Sequence, residues 1–198
     1  MHVGIFGGTF DPPHLGHLII AQEAHAQAGL DSVVFVPAMA PPHKRGFAVS
    51  PFSVRLAMVQ AAIEDNSAFE VSDIEGRLPV PSFTVDTLRA LRRLRPEWDD
   101  IDLIMGSDSM LELPTWRTPG ELVAMARLVV YPRQGAPVPE ARPEFSSAAL
   151  VLDVPELPFS STAIRGRVSQ GRSLKYWVPE GVMPLIARHG LYRPEREN

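Results

Sequence analysis

Two histidines three residues apart, His14 and His17, lie between a glycine pair and a helical pattern, and that combination can do phosphate chemistry. The segment reads Gly7-Gly8-Thr9-Phe10-Asp11-Pro12-Pro13-His14-Leu15-Gly16-His17. Apolar residues 3–6 ahead of it predict a strand. The run Leu18-Ile19-Ile20-Ala21-Gln22-Glu23-Ala24 behind it predicts a helix that ends near Gly29. A strand, a glycine turn and a helix start make an anion site, because unpaired N–H groups and the positive end of the macrodipole point the same way. At this spacing both imidazoles share one helix face. On residue types alone three readings stay open: donors to a phosphoryl group, metal ligands with Asp11 as a possible third, or residues merely tolerated at a helix start. The glycine pair and the aspartate favour phosphate.

Other segments could serve the same chemistry. Ser160-Ser161-Thr162 with Arg165 has hydroxyls, a helix start and a guanidinium together, and it reads equally as an ordinary N-cap. Gly106-Ser107-Asp108 follows an apolar run and reads as a strand end. Pro41-Pro42-His43-Lys44 lies in a long connection over residues 37–50, and long connections are often functional. Arg133 follows another strand end, where it could brace a loop, and Arg45 reads as exposed. Trp116 is a packing residue or a stacking platform.

These groups need a frame. Strands are predicted over residues 3–6, 32–36, 69–72, 101–105, 127–131 and 149–154. Helices are predicted at 51–65, with Ser50 as N-cap and Phe52, Leu56, Val59 and Ile63 as its apolar stripe, and at 85–95. A short helix follows Thr118-Pro119-Gly120-Glu121, which has the residues of a capping box. The last two begin near Ser161 and Pro179; Pro184 would break the latter unless it starts late, near Val182. Arg89, Arg92, Arg93 and Arg95 alternate with Leu88, Leu91 and Leu94, as on the wet face of an amphipathic helix. Asp73 and Asp86 read as structural. The alternation predicts an α/β fold: a Rossmann-like doubly wound parallel sheet with a small C-terminal helical extension. A single domain over residues 1–198 is expected, with the core over about 1–155 and the helical part over about 156–198. Ligands on such sheets bind beyond the carboxyl ends of the strands.

Composition narrows the classes. A chain of 198 residues buries roughly 70% of its unfolded surface and needs no staple. With no cysteine, disulfides and thiolate chemistry are excluded. A net charge of −4 argues against nucleic-acid binding through bulk charge. No apolar stretch approaches the roughly 20 residues of a membrane span, and no signal peptide is evident, so a cytoplasmic location is expected.

The Gly7–Pro12 string with His14-x-Gly16-His17 resembles the nucleotidyltransferase superfamily with a His-x-Gly-His signature. Further segments are similar to the bacterial nicotinate mononucleotide adenylyltransferase family. They are Pro41-Pro42-His43-Lys44, Ser82-Phe83-Thr84-Val85-Asp86-Thr87-Leu88, Gly106-Ser107-Asp108 with Leu113-Pro114-Thr115-Trp116, Arg133-Gln134-Gly135, Ser160-Ser161-Thr162-Ala163-Ile164-Arg165, and the tail around residues 176–179 and 189–192. They follow the family's order along nearly the whole chain. Ser107 stands where the family commonly has alanine, and Phe83 where it commonly has tyrosine.

The resemblance implies transfer of the adenylyl group of ATP to nicotinate mononucleotide, giving nicotinate adenine dinucleotide and pyrophosphate. It implies His14 and His17 as catalytic donors. It implies an ATP site of Gly7, Gly8, Thr9, Phe10, His17, Gly106, Asp108 (on the ribose), Ser160, Ser161, Thr162 and Arg165. It places His43, Lys44, Thr84, Trp116 (stacked on the ring) and Arg133 on the mononucleotide. Mg²⁺ should arrive with ATP, with no protein metal cage. Alternatives are nicotinamide mononucleotide or phosphopantetheine as acceptor, and a non-catalytic nucleotide sensor on the same fold. A nucleic-acid binder akin to class I tRNA synthetases is disfavoured by the acidic charge and the missing Lys-Met-Ser-Lys-Ser loop.

Overall fold

The computed structural model describes residues 1–40, 49–133, 135–136, 145 and 149–194. Six parallel strands form one sheet: β1 (His2–Gly8), β2 (Ser32–Pro37), β3 (Phe69–Val71), β4 (Asp100–Gly106), β5 (Arg127–Tyr131) and β6 (Leu150–Val151). Their order is β3-β2-β1-β4-β5-β6, with Phe6 beside both Phe35 and Ile104. The chain winds outward from β1 through α1 (Leu15–Ala28) and α2 (Phe52–Ile63), then crosses back by α3 (Thr84–Leu94) to set β4 on the other side of β1. That reversal is the switch point of a doubly wound sheet, and it opens a crevice at the carboxyl ends of β1 and β4.

Side chains alternate across the strands, so each face builds its own core. Phe6, Val33 and Phe35 pack with α1, α2, α6 (Ser161–Ser169) and α7 (Val182–Arg188) on one face. Val3, Ile5, Val34 and Val36 pack with α3, α4 (Ser107–Glu112) and α5 (Pro119–Met125) on the other.

Several local expectations hold. α1 ends at Gly29, whose φ of 67° is a left-handed conformation that suits glycine. α7 starts at Val182, so Pro184 falls in its first turn, where the missing N–H has no intrahelical acceptor to lose.

Others are corrected. The last strand is only Leu150–Val151, because the N–H of Asp153 turns away to Gln27 Oε1. The N-cap of α2 is Pro51, not Ser50, and its buried residues are Arg55, Met58, Val59, Ala62 and Ile63, a stripe turned relative to the expected one. Thr118 has φ 46° and caps nothing with its side chain, and Glu121 is taken by Arg89 at 2.8 Å, so no capping box forms. On α3, Leu94 is exposed while Arg92 donates to Met125 O at 2.7 Å and Arg95 stacks on Trp98, so that arginine face is partly a docking face.

Candidate active site

Three elements meet at the switch point: the turn from β1 into α1, the end of β4, and the start of α6. The turn is built around its histidines. His14 is the N-cap of α1 and His17 its third residue, and they cap each other. His14 Nδ1 accepts the N–H of His17 at 3.3 Å, and His17 Nδ1 accepts the N–H of His14 at 3.1 Å. A ring nitrogen that accepts a backbone N–H carries no proton, so in each neutral imidazole the proton sits on Nε2. The rings stack with centroids 3.6 Å apart. Gly16 allows this close approach: a Cβ there would meet Phe159 Cβ at 2.9 Å and His14 Nδ1 at 3.1 Å.

Both imidazoles are held neutral. Burial, then the Arg133 charge, pushes His14 down to about 4, and burial, then His14 and Arg133, holds His17 well below the usual histidine range. They therefore offer two aligned N–H donors without a charge of their own. A depressed native value means that the unfolded chain binds the proton more tightly. Stability is thus full above 6.5 and is lost as pH falls from 6.5 towards 4, by roughly 3 kcal/mol for His14. The expected result is a melting temperature that drops over this window, with the drop reduced in His14→Asn. Imidazole ¹⁵N spectra of the free protein should show His14 protonated on Nε2 alone at pH 6; titration near 6.5 would contradict this geometry.

The turn is not an array of unpaired N–H groups, as its sequence suggests. Leu15 N donates to Trp177 O at 3.1 Å, and His17 N is taken by His14. Anion binding here falls to the two Nε2–H donors and the dipole of a 14-residue helix. Phe10 is also placed differently. Its ring is 1% exposed, packed edge-on to His17 at 4.9 Å, so it supports that imidazole and leaves only its main chain for a nucleotide. Gly8 must stay bare above it, since a Cβ would meet Phe10 Cζ at 2.8 Å, while Gly7 is open to the crevice.

α6 docks on the same turn. Ser161 Oγ donates to Pro12 O at 2.9 Å, and Arg165 Nη1 donates to Asp11 O at 2.9 Å. Arg165 Nη2 also donates to Thr162 Oγ1 at 3.1 Å. Ser160 is the N-cap, its hydroxyl accepting from Ala163 N at 3.1 Å, so that hydroxyl serves the helix.

The end of β4 supplies the third side. Asp108, in the first turn of α4, accepts from Ser109 N at 2.9 Å and pairs with Arg133 at 3.3 Å. Gly106 makes room: a Cβ there would meet Asp108 Oδ1 and Arg133 Cδ. Ser107 is fully buried and accepts the N–H of Arg133 at 2.8 Å, which explains a hydroxyl where alanine is common. Arg133 thus stands beside Asp108, within electrostatic reach of both histidines.

Thr84 and Trp116 flank the contact between Phe83 and Arg117, and Trp116 is partly buried against the core under α3, α4 and α5. Thr84 is the first residue of α3, whose start has no side-chain cap. Trp116 follows a short 3-10 turn, and the next residue, Arg117, stacks 4.8 Å over Phe83 and lies 3.7 Å from Asp86. Phe83 keeps its ring contact and needs no hydroxyl for it. His43, Lys44, Arg45 and Gln134 lie outside the described residues.

The metal reading loses its third ligand. Asp11 Oδ1 accepts Tyr192 Oη at 2.5 Å, and Oδ2 accepts Ser50 N at 3.2 Å. Among the described residues no group of three or more His, Cys, Asp and Glu could hold a metal.

Two further residues bear on the site without a task that their sequence context predicts. Arg55 is 1% exposed and donates to three carbonyls, Ser50 at 2.9 Å, Thr9 at 2.8 Å and Met39 at 3.4 Å. Its signal was a charge at helical spacing with apolar Met58, Val59 and Ala62. Tyr192, in the tail at residues 189–192, reaches the turn through its hydroxyl on Asp11.

Comparison with known proteins places the fold and the family. Residues 5–167 match the cytidylyltransferase-like family model. A probable nicotinate-nucleotide adenylyltransferase of Thermus thermophilus is 45% identical over 98% of this chain and 100% of its own. One from Thermomicrobium roseum is 43% identical over 96% of this chain and 91% of its own. Among solved structures, Plasmodium falciparum nicotinic acid mononucleotide adenylyltransferase complexed with NaAD superposes with a TM-score of 0.80, at 19% identity, covering 96% of this chain and 97% of that one.

Proposed function

This chain belongs to the cytidylyltransferase-like family and, within it, to the nicotinate-nucleotide adenylyltransferases, and from that premise we infer how its residues carry the reaction. It transfers the adenylyl group of ATP to nicotinate mononucleotide. A phosphate oxygen of the mononucleotide attacks the α-phosphorus, the bond from that phosphorus to the bridging oxygen breaks, and pyrophosphate leaves. No side-chain nucleophile and no net proton transfer are needed. The protein must align two polyanions and stabilise charge on the transferring group.

The observation that carries this reading is the mutually capped pair, His14 and His17, whose Nε2–H groups are the free ends. They donate to the α-phosphoryl group. Arg165, with Thr162 and the main chain of Ser161, receives the β- and γ-phosphates. Gly7, Gly8, Thr9 and the Phe10 main chain line the triphosphate, Gly106 and Asp108 meet the ribose, and Arg133 adds positive charge where the two substrates' phosphates meet. Mg²⁺ enters as part of Mg·ATP. The carboxylates beside the turn already have partners, Asp11 with Tyr192 and Ser50, and Asp108 with Arg133, which suits a metal held by the nucleotide's own oxygens.

For the acceptor, Trp116 stacks on the pyridine ring, Thr84 faces its substituent, and His43 and Lys44 take its phosphate. The uncapped start of α3 and the Arg117 guanidinium beside it favour a carboxylate over an amide, and Asp86 in the same turn is already paired with Arg89. No helix among the described residues is long and apolar enough to cross a membrane. With ATP as substrate, we place the reaction in the cytoplasm.

The test is pyrophosphate release with ATP, Mg²⁺ and each mononucleotide separately. Release should favour nicotinate mononucleotide by about tenfold or more in kcat/KM, the value of one charge-assisted contact. No release with either acceptor overturns the reading, and faster release with the amide overturns the acceptor.

A further inference from the structure

We propose that Tyr192 is a positioning residue for adenylyl transfer: through Asp11 it fixes the carbonyl on which Arg165 is mounted and the turn that leads to His14.

Tyr192 lies 181 residues from Asp11 in sequence, yet its hydroxyl donates to Asp11 Oδ1 at 2.5 Å. Ser50 Oγ donates to the same phenol oxygen at 3.4 Å, and Ser50 N reaches the other Asp11 oxygen at 3.2 Å. Asp11 is 2% exposed, so its carboxylate depends on these partners rather than on water. Its own carbonyl receives Arg165 at 2.9 Å, and the next carbonyl, of Pro12, receives Ser161 at 2.9 Å. One buried side chain thus holds the peptide pair to which both anion-site residues of α6 are attached.

The chain goes out of its way to deliver this hydroxyl. After α7 it turns through the left-handed region twice, at Gly190 (φ 59°) and at Tyr192 itself (φ 62°). A tyrosine is disfavoured in that conformation, and residues so placed tend to serve a site. The ring packs at the edge of the α1–α2 core, which a phenylalanine would satisfy equally. The hydroxyl is what apolar packing does not require.

The idea rests on ATP-dependent transfer, and the experiment keeps the two apart. Tyr192→Phe should melt below the parent protein, because it leaves the buried Asp11 carboxylate one donor short, and should lose about tenfold in kcat/KM for ATP even where it is fully folded, while KM for the mononucleotide stays within about twofold. Combined with Arg165→Lys, its loss should be clearly less than additive, because both changes act on one carbonyl. Unchanged kinetics, with or without a lower melting temperature, would make Tyr192 structural and overturn the proposal. Additive losses would overturn the route through Asp11. An inert parent protein would instead overturn the transfer reaction itself.

Discussion

His17→Ala lowers kcat for pyrophosphate release by about 10²–10³, the usual cost of removing one preorganised donor to a transition-state oxygen. The imidazole has two separate tasks, which this geometry allows to be tested one at a time. Its Nδ1 accepts the N–H of His14 at 3.1 Å, which is a helix-capping task. Its Nε2–H is the donor. Alanine removes both, so some helix stability is lost along with activity. His17→Asn places an amide oxygen close to Nδ1 but nothing at Nε2. It should recover most of the melting temperature and almost none of the rate. If His17→Asn turned over within tenfold of the parent, the donor role would be refuted and the histidine would be a cap.

Arg165→Ala should lower kcat/KM for ATP on the order of a hundredfold, with little change in KM for the mononucleotide. Two effects add here. The triphosphate loses a charge-assisted partner, roughly 1.5–3 kcal/mol. The turn also loses the link from Arg165 Nη1 to Asp11 O, so the histidines are less firmly placed. Arg165→Lys keeps the charge but cannot reach Asp11 O and Thr162 Oγ1 together, so it should recover only part of the loss. Saturation curves for each substrate check this. A rise confined to KM for the mononucleotide would assign Arg165 to the other side of the site.

What the sequence made legible was local. The end of α1 at Gly29 and the late start of α7 follow from one or two residues whose backbone preferences decide the matter. The pairing of His14 and His17 followed from helical spacing. The sheet followed from alternation, and the switch point followed from the sheet. What stayed hidden depended on partners far along the chain. Glu121 reads as a cap of its own helix because Arg89, which takes it, lies on another one. The resemblance places Phe10 on the nucleotide, but its φ of 50° turns the ring inward onto Phe6 and Phe35. Arg55 has no signature in the sequence because its acceptors are main-chain carbonyls, which no residue type advertises. The same holds for Leu15, whose N–H is closed by a carbonyl from residue 177.

That last contact has a temporal side. The turn at residues 7–17 leaves the ribosome well before residues 165–192, yet its finished form waits for them: Trp177 O on Leu15, Arg165 on Asp11 O, Tyr192 on the Asp11 side chain. Contacts of such sequence separation form late, because the intervening chain must be ordered before they are rewarded. During synthesis, then, β1 can pair with β2 and β4 while the phosphoryl site is still loose. Catalytic competence therefore waits on residues 165–192, and a chain cut short before them should keep much of its sheet and none of its turnover.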